Sequence, residues 1–202
     1  LDPVDITISN AGGGGSVPAG GGTYNSAGVV SNTSISTALS NGNSVTLTTA
    51  GAGVQTGNII VSSSLTDSGA GNLTLDANAN ITLNANITRT GGGSLILNAG
   101  TGGISGSGNI SLTGGNTTFN QGSSSIYKGF ISGSGGLIKN GVGSLSLDAG
   151  GDFTLNPCYR TSVCNGITVS STNASNFTGN ITINQGRLIG LNQRNLDTQL
   201  AG

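Results

Sequence analysis

The chain has 202 residues, 38 of them glycine and only 6% charged; six basic and seven acidic residues leave a net charge of −1, with no histidine. So small and balanced a charge excludes the basic surface that nucleic acid or an acidic membrane would demand. All seven acidic residues are aspartates, so general acid–base or metal chemistry would have to be built without His or Glu.

Glycine at this level with 34% hydrophobic residues could indicate disorder, but disordered chains are rich in charge and poor in β-branched residues. Here Ile, Val and Thr are abundant, and Asn, Ser and Thr must supply the solubility, which suits a strand surface better than a helix surface. No helix signal stands out. No apolar stretch approaches the roughly 18 residues of a membrane span, so membrane insertion is not expected.

In chain order, Val4-Asp5-Ile6-Thr7-Ile8 alternates as a strand and is followed by a glycine-rich stretch, 11–28, read as a mobile loop that interrupts the fold. From Ile35 onward short strands are expected in close succession: Val45-Thr46-Leu47, Ile59-Ile60-Val61, Leu73-Thr74-Leu75, Ile81-Thr82-Leu83, Leu95-Ile96-Leu97 and Ile110-Ser111-Leu112. Most alternate apolar and polar, the rule for a strand with one face buried.

A repeat runs through them. Gly, then Asn or Ser, then apolar-x-apolar, starts at Gly57, Gly71, Gly93, Gly108, Gly143 and Gly179, at intervals of 14, 22, 15, 35 and 36 residues. Such steps fit one coil of about 22 residues, a part coil, or their sum, and predict an all-β parallel β-helix with a single continuous domain over 1–202. About nine coils and a rod on the order of 40 Å follow, with Leu73, Leu75, Leu95, Leu97, Leu145 and Leu147 as core ladders. Asp76, Asn98 and Asp148 each come at the end of a Leu-x-Leu strand and read as corner residues that bond to nearby backbone.

Residues Ile131 to Leu147, continued by Asn173 to Leu188 after an insertion, resemble the autotransporter-associated β-strand repeat, with Phe177 where that repeat usually carries Tyr. The opening Leu1-Asp2-Pro3-Val4-Asp5-Ile6-Thr7-Ile8, the glycine-rich stretch, Asn32-Thr33-Ser34-Ile35-Ser36 and the Gly-Asn-Leu strands resemble the large exoproteins of two-partner secretion, the filamentous haemagglutinin and high-molecular-weight adhesin type. The resemblance implies a right-handed parallel β-helix, exported across the outer membrane of a Gram-negative bacterium. It also implies that an outer-membrane transporter acts on a region outside this fragment. The absence of an initiating Met and of a leader pattern fits an excised piece of a longer secreted protein.

The insertion, 148–171, holds Pro157-Cys158-Tyr159-Arg160-Thr161-Ser162-Val163-Cys164-Asn165-Gly166. In an exported chain, Cys158 and Cys164 point to a small disulfide loop; a zinc site would need further ligands, and a redox pair a different spacing. Tyr159 and Arg160 at its tip are residue types enriched at binding hot spots, which makes the loop a candidate recognition element, while the bland reading is a tolerated corner insertion.

Parallel β-helix enzymes that cleave polysaccharides need paired carboxylates. The candidates are Asp67, Asp76, Asp148 and Asp152, all of which read as turn or corner residues, so no catalytic residue, metal or cofactor is expected. Nine Asn-x-Ser or Asn-x-Thr triplets, from Asn32 to Asn180, are what such a composition yields, and several of these Asn are expected to line turns or stack as ladders. Thr46-Leu47-Thr48 does not recur at the coil period as a regular Thr-x-Thr array would.

The expected function is that of a secreted or surface-displayed adhesin segment, monomeric, whose loops bind a host-cell surface glycan or protein receptor. Two alternatives keep the fold. One is capture of a soluble host protein, such as a haem carrier, for iron acquisition; the other is a non-binding spacer in a toxin-delivery filament.

Overall fold

The computed structural model describes residues 5–10, 15–25, 28–49, 56–148 and 179–190. The chain begins with β1 (Ile6–Ser9), β2 (Gly22–Tyr24), β3 (Gly28–Ser31), α1 (Asn32–Ser40) and β4 (Val45–Thr48). Regular coils follow as β5 (Ile59–Val61), β6 (Leu65–Asp67), β7 (Leu73–Ala77), then β8 (Ile81–Leu83), β9 (Ile87–Arg89), β10 (Leu95–Ala99). They continue with β11 (Ile104–Gly106), β12 (Ile110–Leu112), β13 (Asn116–Gln121), then β14 (Ser125–Tyr127), β15 (Ile131–Gly133), β16 (Gly136–Asn140). β17 (Ser144–Leu147), β18 (Ile181–Ile183) and β19 (Arg187–Gly190) complete the described elements.

Every strand pairs in parallel with the equivalent strand one coil away, as in Leu73 opposite Leu95 and Ile59 opposite Ile81. Three sheets result: eight strands ordered β19-β17-β14-β11-β8-β5-β1-β3, seven ordered β18-β16-β13-β10-β7-β4-β2, and four ordered β15-β12-β9-β6. This is the all-β parallel β-helix expected, with about six turns among the described residues. The six predicted core leucines are all buried, at most 3% exposed. The repeat intervals also acquire a meaning: 22 residues carries Gly71 to Gly93 within one sheet, while 14 and 15 carry Gly57 to Gly71 and Gly93 to Gly108 between sheets.

The repeat's Asn or Ser clips one coil to the next at the corner where each sheet begins. Ahead of the seven-stranded sheet, Ser44 Oγ accepts from the Asn72 amide (3.0 Å), Asn72 Oδ1 from Ser94 (2.9 Å) and Ser94 Oγ from Asn116 (3.1 Å). Ahead of the eight-stranded sheet the line is Asp5, Asn58, Asn80 and the Gly103 amide; ahead of the four-stranded sheet it is Asn86, Asn109 and the Phe130 amide. Either residue type serves because the position needs only a short side-chain acceptor. The preceding Gly93 has to be glycine, since a Cβ there would run into the carbonyl of Gly71.

Two expectations about the first forty residues are corrected. The glycine-rich stretch contains β2, and Gly15 bridges Val30, the Gly15 amide donating to the Val29 carbonyl at 2.7 Å. It does not interrupt the rod, because β2 and β3 are the outermost strands of their sheets, β2 beyond β4 and β3 beyond β1. At the same end, 32–40 is a helix where strands were expected. Ser31 caps it by accepting from the Ser34 amide, Ile35, Ala38 and Leu39 bury one face, and Gly42 in a left-handed turn ends it with Gly42→Leu39 and Asn43→Ala38 backbone bonds. α1 packs on β6, the edge of the four-stranded sheet, and Ser36 Oγ accepts from the Thr66 amide at 3.3 Å. An edge that would otherwise be exposed is thereby covered.

Candidate functional site

Asp67, expected in a turn, sits instead on an inward position of β6 and is 4% exposed. The register places it opposite Arg89 of β9. Arg89 Nε donates to Asp67 Oδ2 at 2.8 Å and Nη2 to Oδ1 at 3.2 Å, a bidentate pair that suits the planar guanidinium. Nη1 reaches the Ser94 carbonyl at 2.5 Å and Nη2 also reaches that of Gly71, so the cation is tied to backbone around the corner. A carboxylate held this way by a fixed cation serves the frame, and substrate could not reach it.

Asp76 is no corner residue either. It lies within β7 and faces outward, accepting from Thr48 Oγ1 (3.1 Å) and Asn98 Nδ2 (3.4 Å). Asn98 is likewise inside β10, whereas Asp148 does follow β17, its amide donating to Tyr127 at 2.8 Å. Asp67 and Asp76 therefore lie on opposite sides of the coil wall, one inward and one outward, and form no carboxylate pair. Asp152 lies outside the described residues, as do Cys158, Tyr159, Arg160 and Cys164.

Sequence reasoning missed two further buried polar sites. Lys139, fully buried on β16 between Phe119 and Ile183, donates Nζ to the carbonyls of Asn140 (2.5 Å) and Gly141 (2.9 Å). Burial pushes its pKa down to about 8. Gln121, 1% exposed, joins two sheets: Oε1 accepts from the Ile104 amide at 3.2 Å and Nε2 donates to the Ser144 carbonyl at 2.8 Å. Beside them Tyr127 donates to the Gly108 carbonyl and meets Phe119 edge-on at 5.7 Å, and its burial raises the phenol's pKa. Their common signal is a polar residue on an inward-facing position of an alternating strand.

Outside, the seven-stranded sheet carries two parallel rows. One is Thr46, Thr74, Ile96, Thr118, Ile138 and Thr182; the other is Thr48, Asp76, Asn98, Asn120, Asn140 and Asn184. Asn72, Asn80, Asn86 and Asn109 of the Asn-x-Ser/Thr triplets line the corners as expected, whereas this outer row is made of other asparagines that the sequence alone did not mark as a ladder. The first row carries Thr at four positions and Ile at two, while the second has Thr only at Thr48, so the Thr-x-Thr pair of β4 does not recur at the coil period, as expected. Among the described residues no group of three or more Cys, Asp, Glu or His is placed to hold a metal. Comparison with protein-family models, with curated proteins and with solved structures finds no match for this chain, so the fold rests on the pairing described above.

Proposed function

We propose that the chain is a display rod, a segment of an exported bacterial adhesin that holds its loops toward a host-cell surface receptor. The observation that supports this is the division of labour across the coil wall. Inward polar groups, Asp67, Arg89, Gln121 and Lys139, are each bonded into the frame, and among the described residues no buried polar side-chain atom lacks a partner. Outward groups are mostly uncharged hydroxyls and amides. A protein so arranged acts by contact, not by chemistry. The bacterial origin and export are carried by the resemblance to two-partner secretion exoproteins, and the recognition role of Tyr159 and Arg160 by their residue types.

The test is saturable binding of the oxidised protein to host epithelial cells and to host serum proteins, repeated with Cys158→Ser/Cys164→Ser. Cell binding that is lost in the double variant is expected. Absence of binding to any cell or protein would overturn the reading in favour of a spacer, and capture of a haem carrier alone would overturn it in favour of host-protein capture.

A further inference from the structure

The three outer faces differ. The four-stranded sheet and the middle strands β5, β8, β11 and β14 of the eight-stranded sheet have three residues each and show one central outward row, Thr66, Thr88, Ser111 and Ser132 in the smaller. In the seven-stranded sheet β4, β7, β10, β13 and β16 have four to six residues and show the two rows described above. Across β4, β7, β10, β13, β16 and β18 these rows run about 24 Å along the axis and stand about 6.6 Å apart. We propose that this face is a binding site for a neutral polysaccharide chain lying along the rod, in contact with the Thr/Ile row and the Asn row together.

Four observations on the face carry the proposal. First, it is almost uncharged: Asp76 is the one ionised residue in the two rows, so an anionic polymer gains nothing and would be repelled. Second, its chemistry is that of a polyol's partner, because each amide and hydroxyl can both donate and accept, as a sugar hydroxyl does. The ladder takes only one N–H of Asn98 (to Asp76 Oδ1, 3.4 Å), of Asn120 (to Asn98 Oδ1, 3.5 Å) and of Asn184 (to Asn140 Oδ1, 2.9 Å), and an amide has two. Ile96, Ile138 and the Thr methyls supply apolar contact for the C–H faces of the sugar rings.

Third, much of the face is held before the ligand arrives, since ladder bonds tie Asn98, Asn120 and Asn184 and the β-branched Thr and Ile are stiff at χ1, so little rotamer freedom is lost on binding. Fourth, the area selects the occupant. Two rows of this length offer on the order of 400 Å², about half of what each partner contributes to a standard protein–protein interface, and the patch is long and narrow. A second copy of the chain or a globular receptor is poorly served by it, whereas an extended polymer makes many equal contacts along it. The inference deepens the display-rod reading and rests on it, because a pure spacer needs no ligand.

Native affinity electrophoresis tests it, with dextran, hydroxyethyl cellulose and a soluble β-glucan as neutral probes and heparin as the anionic one. We expect at least one neutral probe to retard the protein, with Thr118→Arg or Asn98→Arg weakening the apparent affinity about tenfold. Thr88→Arg, outward on the four-stranded sheet, should leave retardation unchanged, and a strand-type circular dichroism spectrum should show that all three variants fold. No retardation by any neutral probe, retardation by heparin alone, or equal weakening by Thr88→Arg would each overturn the proposal. Cell binding in the preceding test turns on Cys158 and Cys164 and this one on the sheet face. Failure here with cell binding intact removes the polysaccharide site only, and the reverse result removes the loop-mediated display reading only.

Discussion

Arg89 and Lys139 are both cations on inward strand positions of the same solenoid, and the fold receives them in different ways. Arg89 stands over Asp67 one coil earlier and closes a bidentate ion pair, while Lys139 stands between Phe119 and Ile183 and has two backbone carbonyls for partners. A planar guanidinium fits a carboxylate and the carbonyls of a corner at once. An ammonium is a point charge whose burial can be relieved by losing its proton, and burial pushes Lys139 toward neutrality. In a β-helix, the fate of a buried charge is therefore set by what the next coil places opposite it.

The largest effect should come from breaking the matched pair. Asp67→Ala leaves a buried, uncompensated guanidinium and is expected to cost about 3–5 kcal/mol in urea unfolding, whereas Asp67→Leu/Arg89→Leu should recover most of that loss. If the single and double variants are equally unstable, the carboxylate does not compensate Arg89.

The unmatched cation should respond in the opposite direction. Lys139→Met keeps the chain's volume, removes the buried charge, and is expected to stabilise the protein by on the order of 2 kcal/mol at pH 7. A destabilised Lys139→Met protein would show that the two carbonyl bonds outweigh the burial.

The pH dependence sharpens the same contrast. Between about 8 and 10.5 the unfolded chain binds a proton at Lys139 that the folded chain has lost, so stability should rise with pH across that window and the advantage of Lys139→Met should fade. Tyr127 works against it at the upper end: its folded pKa is raised, so the stability it contributes is present below pH 10 and declines above it. Unfolding free energies at pH 7, 9 and 10.5, for the wild type and Lys139→Met, separate the two.

The smallest effect belongs to the exposed counterpart of these buried contacts. Asn120→Ala removes one 3.5 Å rung of the outer ladder and should cost under about 0.5 kcal/mol, measured in the same urea series. A loss as large as that of Asp67→Ala would mean that the outer row holds the coils together as strongly as the interior.

By itself the sequence determined the repeating part of this protein. Apolar-x-apolar spacing assigned the inward faces, Gly with Asn or Ser marked the corners, and 22-residue steps indicated coils, because these signals are local and recur until they can be read against one another. The six core leucines follow from that alone. What needed the tertiary structure is whatever depends on a single neighbour. The 9-residue helix α1 is too short to be stable alone and exists because Ser31, Gly42 and the edge of β6 hold it. Asp67 looked like a turn residue until parallel stacking set Arg89 opposite it, 22 positions along the chain. Lys139 carried the same alternation signal as the leucines around it, but only the absence of a facing carboxylate among the described residues made it a cation held by carbonyls. Periodicity fixes which way a side chain points; the register between coils fixes what it meets, and that pairing is a long-range property of the folded chain.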